Sequence, residues 1–490
     1  MPGSAPSQGI SDGAPDIRLP SSKAAAQQRS INLAISSRGI TALQAIDPAA
    51  TKRFNDAVIP MRGRMIHDVH GNLDSQPYDR NGQCINSIDR ALLNEVLLDE
   101  AVRVPTVKVF FNHKVTALDF DARTMAVKEA DTDRDVQVAF DLCVGADGSY
   151  SIVRRQLMRV VRLRSSIAEL TVFLVLRMDY QQTYIPHEYL ELRMPAGPVS
   201  KFDGEATFLL DPNHLHIWPR HSFMLIALPN KDKTFTCTLF APTTEFDKLT
   251  SPEKTLEWFK THFSDALPLI GEEALLRDFV NNPRSPLMIV KAKPYHYKDR
   301  AIIIGDAAHA MVPFYGQGLN CGLEDVRVLD LLLRNNGVDA AARPATGQND
   351  TSLSRALHMY SQNRHEDLIS ISDLAMDNYT EMRHSVTTPA YLFRHALDNI
   401  LYALTAEQVA PDLTQPALLA DAFPTRAPTG WLPLYNMVTF RPDISYATVR
   451  RKAVEQRRVL THASWAGAAL TVGVFGITCI NIWRRISARS

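Results

Sequence analysis

The sequence is poor in cysteine. Its 490 residues contain five, and no two of them form a C-x-x-C pair or have a Cys/His spacing that suits zinc. The scarcity excludes a disulfide scaffold, and the spacing excludes a zinc domain. We therefore expect free, mostly buried thiols in a reducing compartment. The five are Cys84, Cys143, Cys237, Cys321 and Cys479.

The chain also lacks net charge, internal repeats and a secretory signal. Lys plus Arg (53) equals Asp plus Glu (53), so no global charge attracts nucleic acid or an anionic surface. Residues 1–15 have neither a charged start nor an apolar segment, which excludes a signal peptide. Small and polar residues dominate this stretch, and we predict a disordered leader there because it buries too little surface to offset the entropy of ordering.

Long apolar runs are absent except at the C-terminus. Residues 463–483 are 21 residues without a charge, bounded by Trp465 and Trp483 and flanked by arginines on both sides. About 20 apolar residues are enough for a helix to cross the hydrocarbon core of a bilayer. This predicts a transmembrane anchor, although a buried helix that closes the soluble core would have the same composition. Few residues follow it, so the body of the protein is expected to stay in the cytosol.

The remaining patterns predict an α/β fold with an inserted antiparallel sheet. Strand, glycine turn and helix follow one another at 138–157 and again at 301–335. Helices are predicted within 30–46, within 85–102 with a start at Ser87 or Asp89, and over 352–405 and 446–460. Short strands joined by polar turns at 185–290 favour an antiparallel sheet.

Two glycine turns and one loop stand at the points where such folds bind ligands. The turns are Gly145-Ala-Asp147-Gly148 and Gly305-Asp306, and the loop is "PFYGQGLNCGLED". A single Gly-Asp after a strand is usually only a turn, but the whole string "GDAAHAMVPFYGQGLN" is typical of FAD-dependent aromatic hydroxylases. Asp306 follows a strand, where open α/β sheets bind ligands. The helix that begins near Gly318 to Asn320 would direct free N–H groups and its positive dipole end at the cofactor.

Further segments extend this resemblance. "RSINLAISSRG", "IPMRGRMIH", "HLHIWPR", "SDLAMDNYTEMR" and "PLYNMVTF" are similar to the kynurenine 3-monooxygenase family from about Asp16 to the C-terminal anchor. The resemblance implies hydroxylation of L-kynurenine to 3-hydroxykynurenine with FAD, NADPH and O2 through a flavin C4a-hydroperoxide. It also implies a place in tryptophan degradation and NAD biosynthesis, at the mitochondrial outer membrane with the catalytic body facing the cytosol.

The resemblance carries over individual site residues. Arg64 and Tyr78 match the pair that binds the substrate carboxylate, and Asn378 and Tyr435 complete the grip on the amino acid. An apolar floor for the ring is expected from Leu215, Ile217, Met224, Ile226 and Phe240. No side chain is assigned a catalytic role, no metal is expected, and His309 is interpreted as structural. The positions that match FAD contacts are Ala34, Arg90, Val115, Asp147, Gly148, Asp306, Gly318, Leu319 and Asn320.

The resemblance also implies a division into domains and shows two departures from the family. The family's N-terminal G-x-G-x-x-G unit is not found, so the first βαβ unit is expected to be incomplete on the side of FAD that carries ADP. Residues 162–176 have no counterpart and are interpreted as an extra strand, a misplaced sticky segment or translated non-coding sequence. The predicted parts are a leader (1–15), a first FAD-binding part (16–184) with substrate contacts near 60–80, an antiparallel substrate domain (185–290), a second FAD-binding part (291–380), a helical region (381–460) and the anchor (463–483).

Two other functions remain open on the sequence alone. A related FAD hydroxylase with another substrate would keep the Gly-Asp loop, but it would not need Arg64, Tyr78, Asn378 and Tyr435 in register. An inactive, tail-anchored remnant would not hold flavin. Bound flavin and a response to kynurenine distinguish the three possibilities.

Overall fold

A computed structural model describes residues 8–22, 32–165, 174–341, 348–384, 388–405, 421–424 and 429–462. The strands are β1 (Gln8–Ser11), β2 (Asn32–Ile35), β3 (Ile59–Met61), β4 (Gly63–His67), β5 (Leu73–Pro77), β6 (Ile85–Asp89), β7 (Val107–Phe110), β8 (His113–Asp119), β9 (Thr124–Glu129), β10 (Arg134–Ala139), β11 (Cys143–Gly145), β12 (Arg162–Ser165), β13 (Leu174–Arg177), β14 (Asp179–Met194), β15 (His214–Arg220), β16 (Phe223–Pro229), β17 (Phe235–Pro242), β18 (Ser285–Lys293), β19 (His296–Tyr297) and β20 (Ala301–Ile303). The helices are α1 (Ser37–Ile46), α2 (Pro48–Asn55), α3 (Arg90–Arg103), α4 (Ile152–Val160), α5 (Thr243–Phe246), α6 (Pro252–His262), α7 (Leu267–Ile270), α8 (Glu272–Asn281), α9 (Asp306–His309), α10 (Gly318–Asn335), α11 (Thr351–Asn363), α12 (His365–His384), α13 (Pro389–Thr405) and α14 (Leu434–Phe440), followed by a helix over 446–462.

Seven strands from two separate parts of the chain form the largest sheet, in the order β18-β14-β17-β16-β15-β4-β5. Neighbours are antiparallel except β15 and β4, which are parallel. Side chains alternate along β17: Cys237 and Leu239 are fully buried on one face, in a core shared with helices α6 to α8, whereas Phe240 lies on the other face. Strands β14 to β18 extend from Asp179 to Lys293, beyond both limits of the predicted substrate domain (185–290). The sheet also includes β4 and β5, which come from the first part of the chain.

Smaller sheets carry the two glycine turns. Strands β11 and β20 are parallel neighbours, and β19 pairs with β20 on its other side. Strands β2, β6 and β3 form a separate antiparallel sheet, as do β8, β9 and β10. Because β11 and β20 run in the same direction, the turns that follow them lie at the same edge of one sheet.

The helices begin where capping residues predict. The Asp89 side chain accepts the N–H of Leu92 at 2.9 Å and so caps α3, at one of the two predicted starts. The Ser151 hydroxyl accepts the N–H of Arg154 at 2.9 Å at the start of α4. Helix α10 begins at Gly318, inside the predicted window.

Two segments differ from the expectation or fall partly outside the described residues. Gln8–Ser11 lies within the predicted disordered leader but pairs in parallel with β7, so the prediction of disorder is wrong for these residues. Pairing uses backbone groups at the edge of β7, and it therefore needs few large side chains. Within the predicted insertion 162–176, β12 pairs with β13 in antiparallel fashion, and residues 166–173 lie outside the described ranges.

No helix among the described residues combines the length and the apolar character needed to cross a bilayer. The predicted anchor at 463–483 lies outside the described residues.

Candidate active site

The turns after β11 and β20 lie side by side. Gly145 is paired with Ile303, and the N–H of Ile304 donates to the Gly145 carbonyl at 3.0 Å. The Asp147 carboxylate accepts the N–H of Ile152 at 2.6 Å and that of Val153 at 3.1 Å, so its oxygens hold the start of α4. Asp306 is exposed at the start of α9, and Asp147 is exposed as well. The two differ in that the Asp147 carboxylate is already bonded to the start of α4.

The start of α10 presents backbone N–H groups that have no side-chain cap among the described residues. Gln317 precedes the helix and its side chain does not cap it; that side chain instead accepts a hydrogen bond from the Tyr446 hydroxyl at 3.0 Å. The first N–H groups of an α-helix have no partner within the helix. A Cβ at Gly318 would meet nothing within 4 Å. The helix start is therefore open to an acceptor group of a ligand.

The Asn320 side chain is fully occupied within the protein. Its Oδ1 accepts the N–H of Ser36 at 2.8 Å and the Ser36 hydroxyl at 3.0 Å, while its Nδ2 donates to the carbonyls of Ala34 at 2.9 Å and Gly316 at 2.6 Å. These bonds fasten β2 to the loop before α10. Of the predicted FAD contacts, Ala34 and Asn320 thus meet directly, and only the backbone of Asn320 remains available to a ligand.

We expect Gly39→Ala to destabilise the protein, although alanine normally favours a helix. A Cβ at Gly39 would lie 2.5 Å from Asn320 Oδ1 and 2.9 Å from Ile35 Cγ1, so the Asn320 side chain and its hydrogen bonds must shift. The cost should be about 1–3 kcal/mol in the free energy of unfolding, measured by urea titration. In an Asn320→Ala background part of this clash is absent, so the cost should fall. Equal costs in both backgrounds would contradict this account.

Three of the four predicted substrate residues are in direct contact. Arg64 on β4 and Tyr78 after β5 are each 8% exposed. The rings of Tyr78 and Tyr435 stack with centroids 4.9 Å apart, and the Arg64 Cζ lies 4.9 Å from the centre of the Tyr435 ring and 5.7 Å from that of Tyr78. The Tyr78 hydroxyl is buried and has no hydrogen bond of normal geometry within the described part of the chain.

The Arg64 guanidinium is a buried cation without a paired carboxylate among the described residues. Burial lowers its pKa, but the surroundings outweigh this and raise the pKa above the usual value, so it stays charged. Tyr435, Tyr78, Tyr391 and Glu381 contribute to the rise. A buried charge is costly unless a partner compensates it. The site is thus suited to an anionic ligand group, and the Tyr78 hydroxyl is placed to donate to the same group.

Asn378, the fourth predicted substrate residue, is connected to Tyr435 only indirectly, by way of the loop before α10. Its Nδ2 donates to the Phe314 carbonyl at 2.7 Å, and the ring of the next residue, Tyr315, stacks on Tyr435 at 5.7 Å. Phe314 stacks on Tyr379 at 4.1 Å and contacts Phe240 at 4.8 Å. In this structure Asn378 therefore holds the loop.

The residues predicted as an apolar floor lie on the face of the large sheet that carries Phe240. Ile217, Met224 and Phe240 are buried in one cluster with Phe314 and Tyr315. Leu215 and Ile226 pack against the cluster that contains Tyr78 and Tyr435. An aromatic ligand held by Arg64 would thus meet an apolar wall.

A buried ionic cluster packs against the Gly305-Asp306 turn. It consists of Arg38, His309, Glu324, Asp325 and Arg364. Asp325 accepts the N–H of Gly305 at 3.1 Å, His309 Nε2 at 2.5 Å and Arg364 Nε at 3.0 Å. Glu324 accepts Arg364 at 2.7 Å and Arg38 at 2.7 Å. His309 is thus a partner of Asp325, which agrees with its structural interpretation.

The two carboxylates of the ionic cluster stay charged at neutral pH. Burial raises the pKa of Glu324 and Asp325, but the cations around them outweigh it and hold both at about 2. The ligand atoms of His309, Cys321 and Asp325 lie within 4.8 Å of one another, as in a metal site. However, the oxygens of Asp325 are already bonded and Arg364 lies beside them, which disfavours a cation there.

The other predicted FAD positions lie on three different elements. Arg90 is exposed at the start of α3, and Leu319 packs against the core near Ile35. Val115 on β8 packs at the edge of the main core, and no contact with the other predicted positions is recorded among the described residues. Burial raises the pKa of Tyr189 on β14, and the charges of Arg90 and Asp306 act on that pKa in opposite directions.

The chain matches the family described as FAD binding domain over residues 26–336. It is 42% identical to "Kynurenine 3-monooxygenase" of Cryptococcus neoformans var. neoformans serotype D (strain B-3501A) over 467 residues, which cover 92% of this chain and 87% of the relative. The protein of that name from Saccharomyces cerevisiae is 38% identical, with 92% and 87% covered. The chain belongs to the kynurenine 3-monooxygenase family.

Solved structures agree on the fold. A 2-methyl-3-hydroxypyridine-5-carboxylic acid oxygenase matches with a TM-score of 0.55 at 16% identity, over 80% of this chain and 96% of that one. A probable FAD-dependent monooxygenase from Pseudomonas aeruginosa matches with a TM-score of 0.52 at 17% identity, over 77% and 90%. The predicted FAD-dependent hydroxylase fold is thereby confirmed.

The described residues fit the flavin and ribityl part of FAD. A Cβ at Gly148, Gly305 or Gly318 would meet nothing within 4 Å, so all three turns leave open space. The exposed Asp306 carboxylate can accept hydrogen bonds from ribityl hydroxyls, and the start of α10 can donate to the flavin. For the ADP part, Arg90 is the charged side chain that could pair with phosphate.

Neither the role of the aromatic loop residues nor the ionic cluster was predicted from the sequence. Phe314 and Tyr315 stand between the Gly-Asp turn and the helix, so their place in the motif was an available signal. Arg38 and Arg364 carry no such signal, since only the fold brings them to Glu324.

Proposed function

We propose that this chain hydroxylates L-kynurenine to 3-hydroxykynurenine, using FAD as cofactor, NADPH as reductant and O2. The observation that carries the proposal is the buried Arg64, which has no recorded carboxylate partner and lies against the stacked rings of Tyr78 and Tyr435. The names of the relatives support the choice of kynurenine. An amino acid with an aromatic side chain suits a cation beside an apolar wall.

The protein residues would bind and orient the substrate. Arg64 would form a charge-assisted pair with the α-carboxylate, and the Tyr78 hydroxyl would donate to it. Burial raises the pKa of Tyr78 and of Tyr435, so both remain neutral phenols and hydrogen-bond donors. Ile217, Met224 and Phe240 would hold the ring and exclude water.

No strong protein base is required in this proposal. Bound FAD supplies the redox chemistry, taking electrons from NADPH and activating O2. The amine on the kynurenine ring makes the neighbouring carbon electron-rich, so the contribution of the protein is to hold that carbon towards the flavin. The ionic cluster would keep the Gly305-Asp306 turn in place, because Asp325 accepts the Gly305 N–H.

The test is to purify the protein, add FAD, remove the excess and record the flavin spectrum, then measure NADPH oxidation with and without L-kynurenine. We expect bound flavin, oxidation that depends on kynurenine, and 3-hydroxykynurenine as product. Tryptophan is the matched control substrate, since it keeps the amino-acid group and changes the ring.

Two other outcomes favour the alternatives. Flavin that binds without any response to kynurenine would indicate a related hydroxylase with another substrate. Failure to retain flavin at saturating FAD would favour an inactive remnant.

We also propose that residues 463–483 anchor the chain in the mitochondrial outer membrane, with the body in the cytosol. The support is the uncharged sequence of this segment, with its bounding tryptophans and flanking arginines. The full chain should remain in the mitochondrial membrane pellet after alkaline carbonate extraction and should be digested by protease added to intact mitochondria. Release by carbonate would contradict the anchor.

A further inference from the structure

Asp79 and Asn436 form a buried hydrogen bond beside the candidate substrate site. The Asn436 side-chain Nδ2 donates to Asp79 Oδ1 at 2.7 Å, and each residue is 8% exposed. The two residues lie 357 positions apart in the chain. Neither has a part in the reaction as proposed above. Their bond joins the segment after β5 to helix α14.

Each member of this pair directly follows one tyrosine of the candidate site. Tyr78 precedes Asp79, and Tyr435 precedes Asn436. The two tyrosine rings stack with centroids 4.9 Å apart, and the Arg64 Cζ lies 4.9 Å from the centre of the Tyr435 ring. Because neighbouring Cα atoms are only about 3.8 Å apart, the bond between Asp79 and Asn436 limits how far the two rings can separate.

Other contacts hold the two tyrosines to different parts of the molecule. The N–H of Tyr78 donates to the Arg62 carbonyl at 3.0 Å, which continues the pairing of β4 with β5. Helix α14, which carries Tyr435, is held by Arg38, whose Nε donates to the Val438 carbonyl at 3.1 Å. One ring is thus fixed to the large sheet and the other to the C-terminal part of the chain. The buried hydrogen bond connects these two parts at the substrate site.

Both oxygens of the Asp79 carboxylate are in use. Oδ1 accepts the Asn436 amide, and Oδ2 accepts the backbone N–H of Asn81 at 2.6 Å. Separation of α14 from the segment after β5 would leave Oδ1 without this donor. A buried acceptor that loses its donor is costly, and more so when it is charged. The pair therefore resists separation of the two parts.

We infer that Asp79 and Asn436 are positioning residues for the substrate carboxylate: their hydrogen bond keeps the Tyr78 and Tyr435 rings stacked against the Arg64 guanidinium. The inference rests on the proposed function, in which Arg64 and Tyr78 bind the α-carboxylate of the substrate. Without the bond, the cation and the phenols would still be present, but they would no longer be held in the arrangement that the ligand requires.

The first test is Asn436→Asp, which keeps the size of the side chain, removes the donor and sets two carboxylates against each other. In the full-length protein loaded with FAD, the Kd of L-kynurenine, followed by the flavin spectrum, should rise about tenfold or more. Asn399→Asp is the matched control, since Asn399 lines a small cavity beside the pair and its recorded hydrogen bond is to His395. This control should keep the wild-type affinity, and an equal loss in it would overturn the inference.

Exchanging donor and acceptor should restore binding. When Asp79→Asn is added to Asn436→Asp, the new amide can donate to the new carboxylate while its oxygen accepts the Asn81 N–H. The Kd of kynurenine should then return to within about threefold of the wild-type value. Asp79→Asn alone should have a smaller effect than Asn436→Asp, because the Asn436 amide can turn over and offer its oxygen.

A double-mutant cycle distinguishes positioning from a general loss of structure. In Arg64→Met the cation that the pair positions is gone. Asn436→Asp should therefore raise the Kd of kynurenine by less than about threefold in that background. Equal losses in the two backgrounds, or wild-type affinity in Asn436→Asp, would overturn the inference.

A second variant covers the case in which Asn436→Asp does not retain flavin. Asn436→Ala removes the donor without adding a charge, and the Kd of kynurenine should rise about threefold to tenfold. An unchanged Kd in this variant would overturn the inference equally. A wild-type protein that binds flavin but not kynurenine would instead refute the proposed function, and the inference with it.

Discussion

Replacement of Arg364 by methionine should lower the free energy of unfolding by about 3–5 kcal/mol, the largest loss of stability expected from a single change in this protein. Arg364 is 2% exposed and donates to Glu324 at 2.7 Å and to Asp325 at 3.0 Å. Methionine fills a similar volume, so the loss comes mainly from leaving two buried carboxylates with fewer partners. The measurement is urea unfolding at pH 7.

The matched control is Arg334→Met. Arg334 lies on α10 and pairs with Asp330 at 3.0 Å, but its side chain is 69% exposed. Exposed pairs contribute about 1 kcal/mol or less, so this variant should be nearly neutral. Similar losses in the free energy of unfolding for the two variants would show that burial of the ionic cluster does not account for the effect of Arg364→Met.

The same cluster should make stability sensitive to acid. The pKa of Glu324 and of Asp325 is held at about 2 in the folded protein, below its usual value near 4. A depressed pKa contributes stability that is present above about pH 4 and is lost as the pH falls towards 2. In Arg364→Met the difference from wild type should therefore shrink as the pH is lowered through this window.

Replacement of Arg64 by methionine should weaken kynurenine binding by about 1.5–3 kcal/mol, or one to two orders of magnitude in Kd, and leave flavin bound. The loss is that of one charge-assisted pair with the substrate carboxylate. The Kd is obtained by titrating L-kynurenine into the flavin-loaded protein and following the flavin spectrum. Arg62→Met, an exposed neighbour two residues earlier, should retain the wild-type affinity.

Arg64→Met should differ from Arg364→Met in its effect on the free energy of unfolding. No described carboxylate is paired with Arg64, so Arg64→Met leaves no anion buried without its partner. The protein should therefore unfold at about the same urea concentration as the wild type. Unchanged affinity for kynurenine would refute the proposed role of Arg64, whereas loss of flavin together with affinity would indicate that the variant is misfolded.

The sequence was most informative where a local rule determines the structure. Asp89 caps a helix because its side chain accepts a backbone N–H two or three residues on, and that can be read from a polar residue before an apolar run. The start of α10 and the turn at Gly305-Asp306 were predicted for similar reasons. The contact between Arg64, Tyr78 and Tyr435 could be expected only from resemblance, since these residues lie far apart in the chain.

Long-range pairing accounts for what sequence reasoning missed. Arg38 and Arg364 look like surface arginines in their local patterns, and only tertiary packing buries them against Glu324. Glu191 stands in a strand at a position where alternation predicts a polar outer face, yet its side chain is buried in the folded protein. The leader was predicted from composition, which cannot reveal that β7 offers an unpaired edge to Gln8–Ser11.

The position of Arg38 also bears on how the chain folds. Its guanidinium donates to the carbonyls of Val438 at 3.1 Å, Arg441 at 2.9 Å and Ile444 at 2.8 Å, some four hundred residues further along. Contacts of such sequence separation form late, because a long loop must close first. A ribosome releases the N-terminal part of a chain first. The hydrogen bonds that hold the Arg38 side chain can therefore form only after residues 438–444 have been synthesised.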